Sequence, residues 1–465
     1  MEHVDEMPPR CNDRCCGRRS SSSAVERTAH RSQNAGPQTL SIVHKTNTIC
    51  DDDSTVSIGS SSQRKRKLVL HFDVRNTILV SDSTTHDSIE QALNTFLTGV
   101  TWGRQEPNGW VWYSDRPSLR APCAGVTSYY KSRERALVKS PADRVTLRRV
   151  TSNFTNQPIG RKFRNYFDTC LRLLEWNVAC SSPEAISNFD CDKIDSTIAS
   201  SIQNAPTKTQ PEVVLPVDRK LTILGANGRL YHYLLPSFIK MLYDLQADGC
   251  RFSVILRTYG VDAPNVLDSI AHIAAGNHPL FPGKLAMNVN RRPGQICRQS
   301  GDRFVCQLPP TAHTSPPVVL ETDADIYLYM SDVDGICGFV DDFRFWQDHN
   351  YTHSDGKPLW IDPADQDVQH IFFDDNIRIA ADADSIVDVR LFDDASISGS
   401  GCRASARSLS IEEIAPLENV CLVQADLLEG TSNVDYFINM VRQCESNYSD
   451  WLQQHTGMHY HGGDI

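Results

Sequence analysis

Several features that would assign this sequence to a class are missing. No stretch of about 18 apolar residues occurs, so we expect no transmembrane helix. The opening residues, MEHVDEMPPR, lack the apolar segment of a secretory signal peptide. The 15 cysteines are scattered and form no C-x-x-C pair, which argues against a disulfide framework and against a zinc site. Together these absences favour a cytoplasmic protein with reduced thiols.

Basic residues are also in deficit. Lys and Arg number 46 against 57 Asp and Glu, which gives a net charge of −11. The acids concentrate in the C-terminal half, which argues against nucleic acid as the main partner and suits a divalent cation. The hydrophobic share is 40% and the charged share 22%, so most of the 465 residues should fold, either as one large core with an insertion or as two domains.

The sequence divides into tails, a core and a long insertion. Residues 1–66 are rich in Ser, Arg and Asp and poor in aromatic residues, which predicts a disordered tail. RKRK at 64–67 would suit a nuclear-import signal, but we favour a solvated edge before a strand. We assign 67–83 and 216–445 to the core and 446–465 to a C-terminal tail.

Three apolar runs in the core predict buried parallel strands. They are LVLHFD, FSVILRT and HIFFDD, and each ends in polar residues. Helical patterns follow the first strand, with Asp87 as the expected N-cap, span about 228–246, and close the chain. DIYLYMSD at 325–332 predicts another strand, and the segment 292–308 predicts a hairpin.

The polar ends of these strands should bring chemically useful residues to one edge. The carboxyl ends of parallel strands lie along the same edge, where open α/β sheets bind ligands. Asp73, Thr258 and the Asp374–Asp375 pair occupy these ends. Phosphoryl transfer through an aspartate requires such a carboxylate, a hydroxyl and a cation, together with acids that anchor Mg²⁺.

This order of residues resembles the haloacid dehalogenase-like (HAD) superfamily. Its members have a strand ending in D-x-D-x-T/V, a second strand ending in Ser or Thr, a Lys or Arg before the last motif, and a strand ending in paired acids. The matching residues are Asp73 to Thr77 in FDVRNT, Thr258 in VILRTYG, Lys357 in GKPLW, and Asp374 and Asp375 in IFFDDN. The resemblance implies a three-layer, Rossmann-like parallel α/β sheet with a cap domain inserted at 84–215.

The resemblance also implies roles for these residues. Asp73 would be the nucleophile, and Thr258 and Lys357 would be catalytic residues that hold phosphoryl oxygens. The implied Mg²⁺ ligands are Asp73, the carbonyl of Arg75, Asp374 and Asp375. The implied substrate-binding residues are Arg75, Asn76 and Thr77. The implied substrate is a small phosphorylated molecule or a phosphoprotein.

Arg75 departs from the family's pattern. Family phosphatases have an aspartate here, which protonates the leaving group and then activates water. An arginine stays protonated and can do neither. Arg75 could instead pair with a bound phosphate, or with Asp374 or Asp375 in place of the metal. Two functions stay open: a Mg²⁺-dependent phosphatase with an aspartyl-phosphate intermediate, or a weak or inactive binding or scaffold protein. A regulatory nuclear protein acting through RKRK is a third.

One aromatic group in the insertion has two interpretations. Its members are Trp102, Trp110, Trp112 and Tyr113. They could line a substrate pocket, but we favour a small core of the cap itself.

Other polar residues in the core carry weaker signals. The acids Asp332, Asp334, Asp341 and Asp342 do not fit an EF-hand, and we predict a loop of solvated acids. His349 and His353 have the spacing of a helical metal pair but lie in a loop-like stretch, so we reject a zinc site. His71 is predicted to pack in the core.

Overall fold

A mostly parallel sheet of eight strands forms the centre of the structure, which is a computed structural model. The residues it describes are 66–81, 87–176, 217–299, 302–309, 318–379, 385–392 and 405–456. The predicted N-terminal tail before residue 66, with the first half of RKRK, lies outside the described residues. So do the end of the predicted cap and the end of the C-terminal tail.

The central sheet contains all three predicted strands. From one edge to the other its strands are β10 (Val319–Leu320), β9 (Phe304–Gln307), β8 (Gly294–Arg298), β11 (Gly335–Asp341), β7 (Phe252–Thr258), β1 (Lys67–Phe72), β13 (Val368–Asp374) and β16 (Leu422–Gln424). The six strands from β8 to β16 pair in parallel, whereas β9 pairs antiparallel with both β8 and β10. The predicted hairpin is thus the β8–β9 pair.

The two faces of the sheet bury different elements because side chains alternate along β1. Leu68, Leu70 and Phe72 belong to one hydrophobic cluster, and Val69 belongs to another on the opposite face. The first cluster includes side chains from three helices: α5 (Pro236–Ala247), α6 (Ala263–Ala274) and α11 (Tyr436–Thr456). Helix α11 continues through residues that the sequence analysis assigns to a tail.

The opposite face is covered by a helix and a small sheet. The helix is α7 (Asp323–Asp332), and the sheet is β12 (Lys357–Ile361), β14 (Val387–Leu391) and β15 (Arg407–Ser408). Trp360 connects the two, because its indole Nε1 donates to Asp323 Oδ1 at 2.7 Å. This small sheet matters for function because it begins with Lys357.

The described part of the insertion forms helices and a short antiparallel sheet. These are α1 (Ile89–Gly99), β2 (Trp102–Glu106), β3 (Gly109–Trp112), β4 (Thr127–Ser128), α2 (Tyr129–Leu137), α3 (Arg144–Thr151) and α4 (Arg164–Leu174). The buried apolar residues of α1 and α4 and Tyr129 of α2 belong to the same hydrophobic cluster as β1. Trp112 packs against Phe154 and Phe163, in agreement with the core interpretation of the aromatic group, whereas Tyr113 is 52% exposed.

The remaining elements are short. They are β5 (Thr222–Leu224), β6 (Leu230–His232), α8 (Phe343–Asp348), α9 (Ile411–Ile414) and α10 (Leu427–Ser432). The predicted helix at 228–246 therefore begins later, at Pro236, and β6 precedes it. None of the described helices is long and apolar enough to cross a membrane.

Three details of the secondary structure differ from the predictions: the type of α7, the presence of β11 and the N-cap of α1. DIYLYMSD is helix α7, not a strand, because Thr322 caps it: Thr322 Oγ1 accepts from Asp325 N at 3.0 Å. Ile326, Tyr327 and Met330 are buried on one helical face, whereas Leu328 is 62% exposed. Strand β11 was not predicted, since its sequence GICGFVD contains two glycines. The N-cap of α1 is Ser88 rather than Asp87, in a capping box with Gln91.

Candidate functional site

The strand order reverses direction between β1 and β13. The chain after β1 returns to the sheet at β7 on one side, and the chain after β13 returns at β16 on the other. In open α/β sheets, ligands bind at the carboxyl edge where the connections diverge in this way. Asp73 follows β1 directly and Asp374 ends β13, so both carboxylates lie at this position in the sheet.

Three carboxylates meet there. One oxygen from each of Asp73, Asp374 and Asp375 lies within 4.8 Å of the other two, and this is the only such cluster among the described residues. Neighbouring groups orient the acids: Asn376 N donates to Asp374 Oδ1 at 2.8 Å, and Asn376 Nδ2 donates to Asp375 Oδ1 at 3.1 Å. The structure thus brings together acids separated by some three hundred residues of sequence.

Lys357 completes the cluster from the small sheet. Its Nζ donates to Asp73 Oδ1 at 2.6 Å, to Asp374 Oδ2 at 2.8 Å and to the carbonyl of Arg257 at 3.3 Å. Burial alone would lower the pKa of Lys357, but Asp374 and Asp73 outweigh it and raise the pKa above its ordinary value. The ammonium therefore stays charged between two carboxylates.

One ammonium does not balance three clustered acids, of which Asp73 and Asp374 are buried and Asp375 is half-buried. Burial raises the pKa of Asp73 to about 8, with Lys357 opposing the rise and Asp374 adding to it. Burial, together with the charge of Asp374, raises the pKa of Asp375 to about 7. Such a cluster either holds a proton or accepts a further cation.

Thr258 reaches the same edge from the neighbouring strand. In the β1–β7 register Leu256 lies opposite Phe72, so Thr258 stands one position beyond the level of Asp73. It is buried, and its Oγ1 accepts from Gly260 N at 3.0 Å. The Thr258 hydroxyl hydrogen can still be donated to a ligand oxygen.

The three residues predicted to bind substrate form the turn after Asp73. Asn76 has a φ of 57° and lies with Nδ2 3.5 Å from Asp375 Oδ2. Thr77 is buried, and its Oγ1 accepts from Asp375 N at 3.3 Å. The side chains of Asn76 and Thr77 therefore both contact Asp375 and help to position it. Arg75 Nη2 lies 3.9 Å from Asp87 Oδ2, and the Arg75 charge also lowers the pKa of Asp375 against the larger effect of burial.

A buried ion pair behind the site was not predicted from sequence. Arg257 Nε and Nη2 donate to the two oxygens of Asp341 at 3.0 and 2.6 Å, and both side chains are almost fully buried. Arg257 Nη1 donates to the carbonyl of Pro358 at 3.0 Å, next to Lys357. The pair therefore positions Lys357. The only signal in the sequence was an arginine inside the apolar run FSVILRT.

The structure corrects the prediction for the acidic stretch and agrees with the prediction for His71. Asp332 ends α7 and Asp341 ends β11, so the stretch is not a loop. Asp341 is also buried against Arg257, so the prediction of solvated acids is wrong for this residue. His349 and His353 each contact a backbone carbonyl rather than forming a pair. His71 is buried, and its Nε2 lies 3.0 Å from His370 Nδ1.

The architecture and the site can be set beside known proteins. No family model, curated protein or solved structure matches the chain. The fold and the site alone define it as a mixed α/β protein with a carboxylate cluster at the carboxyl edge of a mostly parallel sheet.

Proposed function

We propose that the protein is a Mg²⁺-dependent phosphatase that acts through an aspartyl-phosphate on Asp73. The observation that carries the proposal is the meeting of Asp73, Asp374 and Asp375 within 4.8 Å, with Lys357 in contact with two of them. We extend the proposal to the fold, as a HAD-like core with residues 84–215 as its cap. The support is that all four elements of the resemblance lie at one edge.

The donor set at this edge fits Mg²⁺. Mg²⁺ prefers oxygen ligands and is commonly held by one or two carboxylates. Asp73, Asp374 and Asp375 would hold the ion with the Arg75 carbonyl. When bound, the ion would neutralise charge on the acids and on the phosphoryl oxygens.

The residues of the chain divide the first chemical step among them. A carboxylate oxygen of Asp73 attacks phosphorus, so an O–P bond forms to Asp73 while the bond to the leaving oxygen breaks. Lys357 Nζ, 2.6 Å from Asp73 Oδ1, and the Thr258 hydroxyl hold phosphoryl oxygens as the transferred group moves. Water then cleaves the acyl phosphate, releasing inorganic phosphate and restoring Asp73.

Arg75 sets the limits of this activity. General acid–base help is worth about 10²–10⁴-fold in rate, and an arginine supplies none of it. The leaving oxygen must take its proton from solvent, which favours substrates with acidic leaving groups. The second step also lacks a base, so we expect the phosphoryl group to accumulate on Asp73 and to produce a burst of leaving group.

A second function is supported by the same residue. Arg75 stands where family phosphatases have their acid–base aspartate, and its ion pair with Asp87 connects this position to the insertion. A non-enzymatic protein on this fold would bind a phosphorylated ligand at the carboxylate cluster without turning it over. In that case Arg75→Asp would create activity that the natural protein lacks.

A generic aryl phosphate tests the two functions. We expect a Mg²⁺-dependent burst followed by slow turnover, a thermal shift on adding Mg²⁺, and loss of both phases in Asp73→Asn. Asp248→Asn is the matched control, because Asp248 forms an exposed pair with Arg442. Absence of a burst, of turnover and of a Mg²⁺ shift in the natural protein would refute the phosphatase.

A further inference from the structure

Charge is distributed unevenly in the structure. The chain carries a net −11, yet Tyr129–Thr151 holds seven basic and two acidic residues, a net +5. This segment contains α2 and α3, which pack against each other; we call it the basic helical pair. Its basic residues are Lys131, Arg133, Arg135, Lys139, Arg144, Arg148 and Arg149.

Part of this charge is not neutralised within the protein. Lys131 and Arg144 both pair with Glu134. No acidic side chain in the part of the chain that the structure describes pairs with Arg135, Arg148 or Arg149. Arg135 and Arg149 are exposed and Arg148 is half-buried. Several guanidinium groups therefore face solvent with their charge available to a partner.

The basic helical pair adjoins the candidate site. The Arg144 guanidinium lies over the ring of Tyr351, 5.2 Å from its centroid. Tyr351 follows α8, which begins just beyond the carboxyl end of β11. Tyr130 of α2 lies within electrostatic range of Arg144 and Arg75, whose charges oppose the effect of burial on its pKa. Through Arg144 the basic helical pair thus contacts the segment that follows α8.

A row of aromatic rings connects the two. Tyr259 directly follows Thr258, and Lys357 Nζ lies 5.0 Å from its ring centroid. Trp346 stacks on Tyr259 with centroids 5.3 Å apart and meets Tyr351 at 5.0 Å. Phe343 packs edge-on against Tyr259 and is 38% exposed. The aromatic row therefore runs from the phosphoryl site to the basic helical pair.

We infer that the basic helical pair binds single-stranded nucleic acid and presents its terminal phosphate monoester to Asp73. Guanidinium groups match phosphate oxygens in geometry, and an exposed aromatic ring, such as Phe343 at the outer side of the aromatic row, accepts a stacked base of any sequence. An acidic phosphopeptide would use the arginines but has no bases for the aromatic row. The binding is inferred from the basic helical pair and the aromatic row, whereas the reaction at Asp73 rests on the proposed function.

The reaction conserves atoms without a further reagent. The bond between phosphorus and the terminal ester oxygen breaks, and that oxygen takes a proton from solvent. Water then displaces the phosphoryl group from Asp73. The products are an oligonucleotide with a free hydroxyl end and inorganic phosphate. The net charge argues against nucleic acid as the main partner, but it is an average over the chain and conceals a local positive surface.

Binding is tested with the full chain carrying Asp73→Asn, so that hydrolysis does not interfere. The probe is a fluorescent, end-phosphorylated single-stranded oligonucleotide about 12 nucleotides long, titrated at several salt concentrations. Arg148→Glu with Arg149→Glu should weaken binding at least about tenfold and reduce the salt slope by about 1 to 2. The matched control reverses the charge of two other exposed arginines, as Arg219→Glu with Arg303→Glu. Circular dichroism shows whether each variant is folded.

The outcomes separate the two proposals. Selective loss of binding in the Arg148/Arg149 variant supports the surface. Equal loss in the control, no loss, or tighter binding of an acidic phosphopeptide or of phosphoinositide vesicles overturns it. Turnover of aryl phosphate with an unaffected oligonucleotide interaction refutes only the surface. Selective oligonucleotide binding without any turnover refutes only the phosphatase.

Discussion

The buried pair of Arg257 and Asp341 yields a stability prediction that can be worked out from the structure. Asp341→Asn keeps the shape of the side chain and removes its charge. Residue 341 then offers Arg257 one acceptor oxygen where it offered two, and the guanidinium stays almost fully buried. The carbonyl of Pro358 remains as its other partner.

The expected cost follows from that geometry. Losing one partner of a buried pair costs about 3–5 kcal/mol, because an uncompensated charge stays in the interior. At about 1.4 kcal/mol per tenfold change, the unfolding constant should rise by roughly two to three and a half orders of magnitude. Asp248→Asn removes the same charge from an exposed pair with Arg442, where we expect about 0–1 kcal/mol.

Urea unfolding followed by circular dichroism measures both variants under one condition. The double variant Arg257→Met with Asp341→Leu should recover most of the loss, since buried pairs can be replaced by apolar residues at little cost. If Asp341→Asn costs no more than Asp248→Asn, the account of the buried charge is wrong. If the double variant is as unstable as Asp341→Asn, packing rather than charge explains the loss.

Three further predictions concern catalysis, pH and backbone conformation. Arg75→Asp should remove the burst and raise steady-state turnover of aryl phosphate by about 10²–10⁴-fold; unchanged kinetics would exclude the proposed cause of slow turnover. Burial lowers the pKa of His370 to about 3, so the contribution of neutral His370 to the free energy of unfolding is complete above about pH 6.5 and is lost as pH falls. In urea unfolding, the free energy of the natural protein should fall by about 2 kcal/mol more than that of His370→Gln between pH 7.5 and 5, and equal losses would contradict this. The raised pKa of Asp73 acts in the opposite direction but is common to both proteins. Gly335 has a φ of 88°, and a Cβ there would lie 2.1 Å from Asn288 O, so Gly335→Ala should lower the free energy of unfolding by about 1–3 kcal/mol. Gly99→Ala is the control, because a Cβ at Gly99 meets nothing within 4 Å and should not destabilise the protein. Equal shifts of the thermal unfolding midpoint would refute the backbone strain.

Local patterns were enough to predict the strands that build the site. β1, β7 and β13 are buried on both faces, so each appears in the sequence as a short apolar run that ends in a polar residue. A residue at the end of such a run lies at the edge of the sheet whatever the strand order is. For this reason Asp73, Thr258 and Asp374 could be chosen before their neighbours were known.

The same patterns failed where tertiary contacts decide the outcome. The residues of α7 favour a strand by composition, but the cap at Thr322 and burial against the sheet make them helical. The two glycines of β11 conceal a central strand, in which a Cβ at Gly338 would lie 3.3 Å from Leu267 Cδ1 and fit tightly. Average composition likewise concealed the positive charge of the basic helical pair.

The sequence by itself determined that Asp73, Thr258 and Asp374 stand at the carboxyl ends of buried strands, because burial and periodicity are local properties of the chain, whereas Lys357 was predicted only through the family resemblance. Only the tertiary structure decided that β1 lies between β7 and β13, that Lys357 enters from a second sheet, and that Arg257 and Asp341 hold it there. These contacts join residues from distant parts of the chain, and their energies depend on what is buried around them. No stretch of sequence taken alone contains that information.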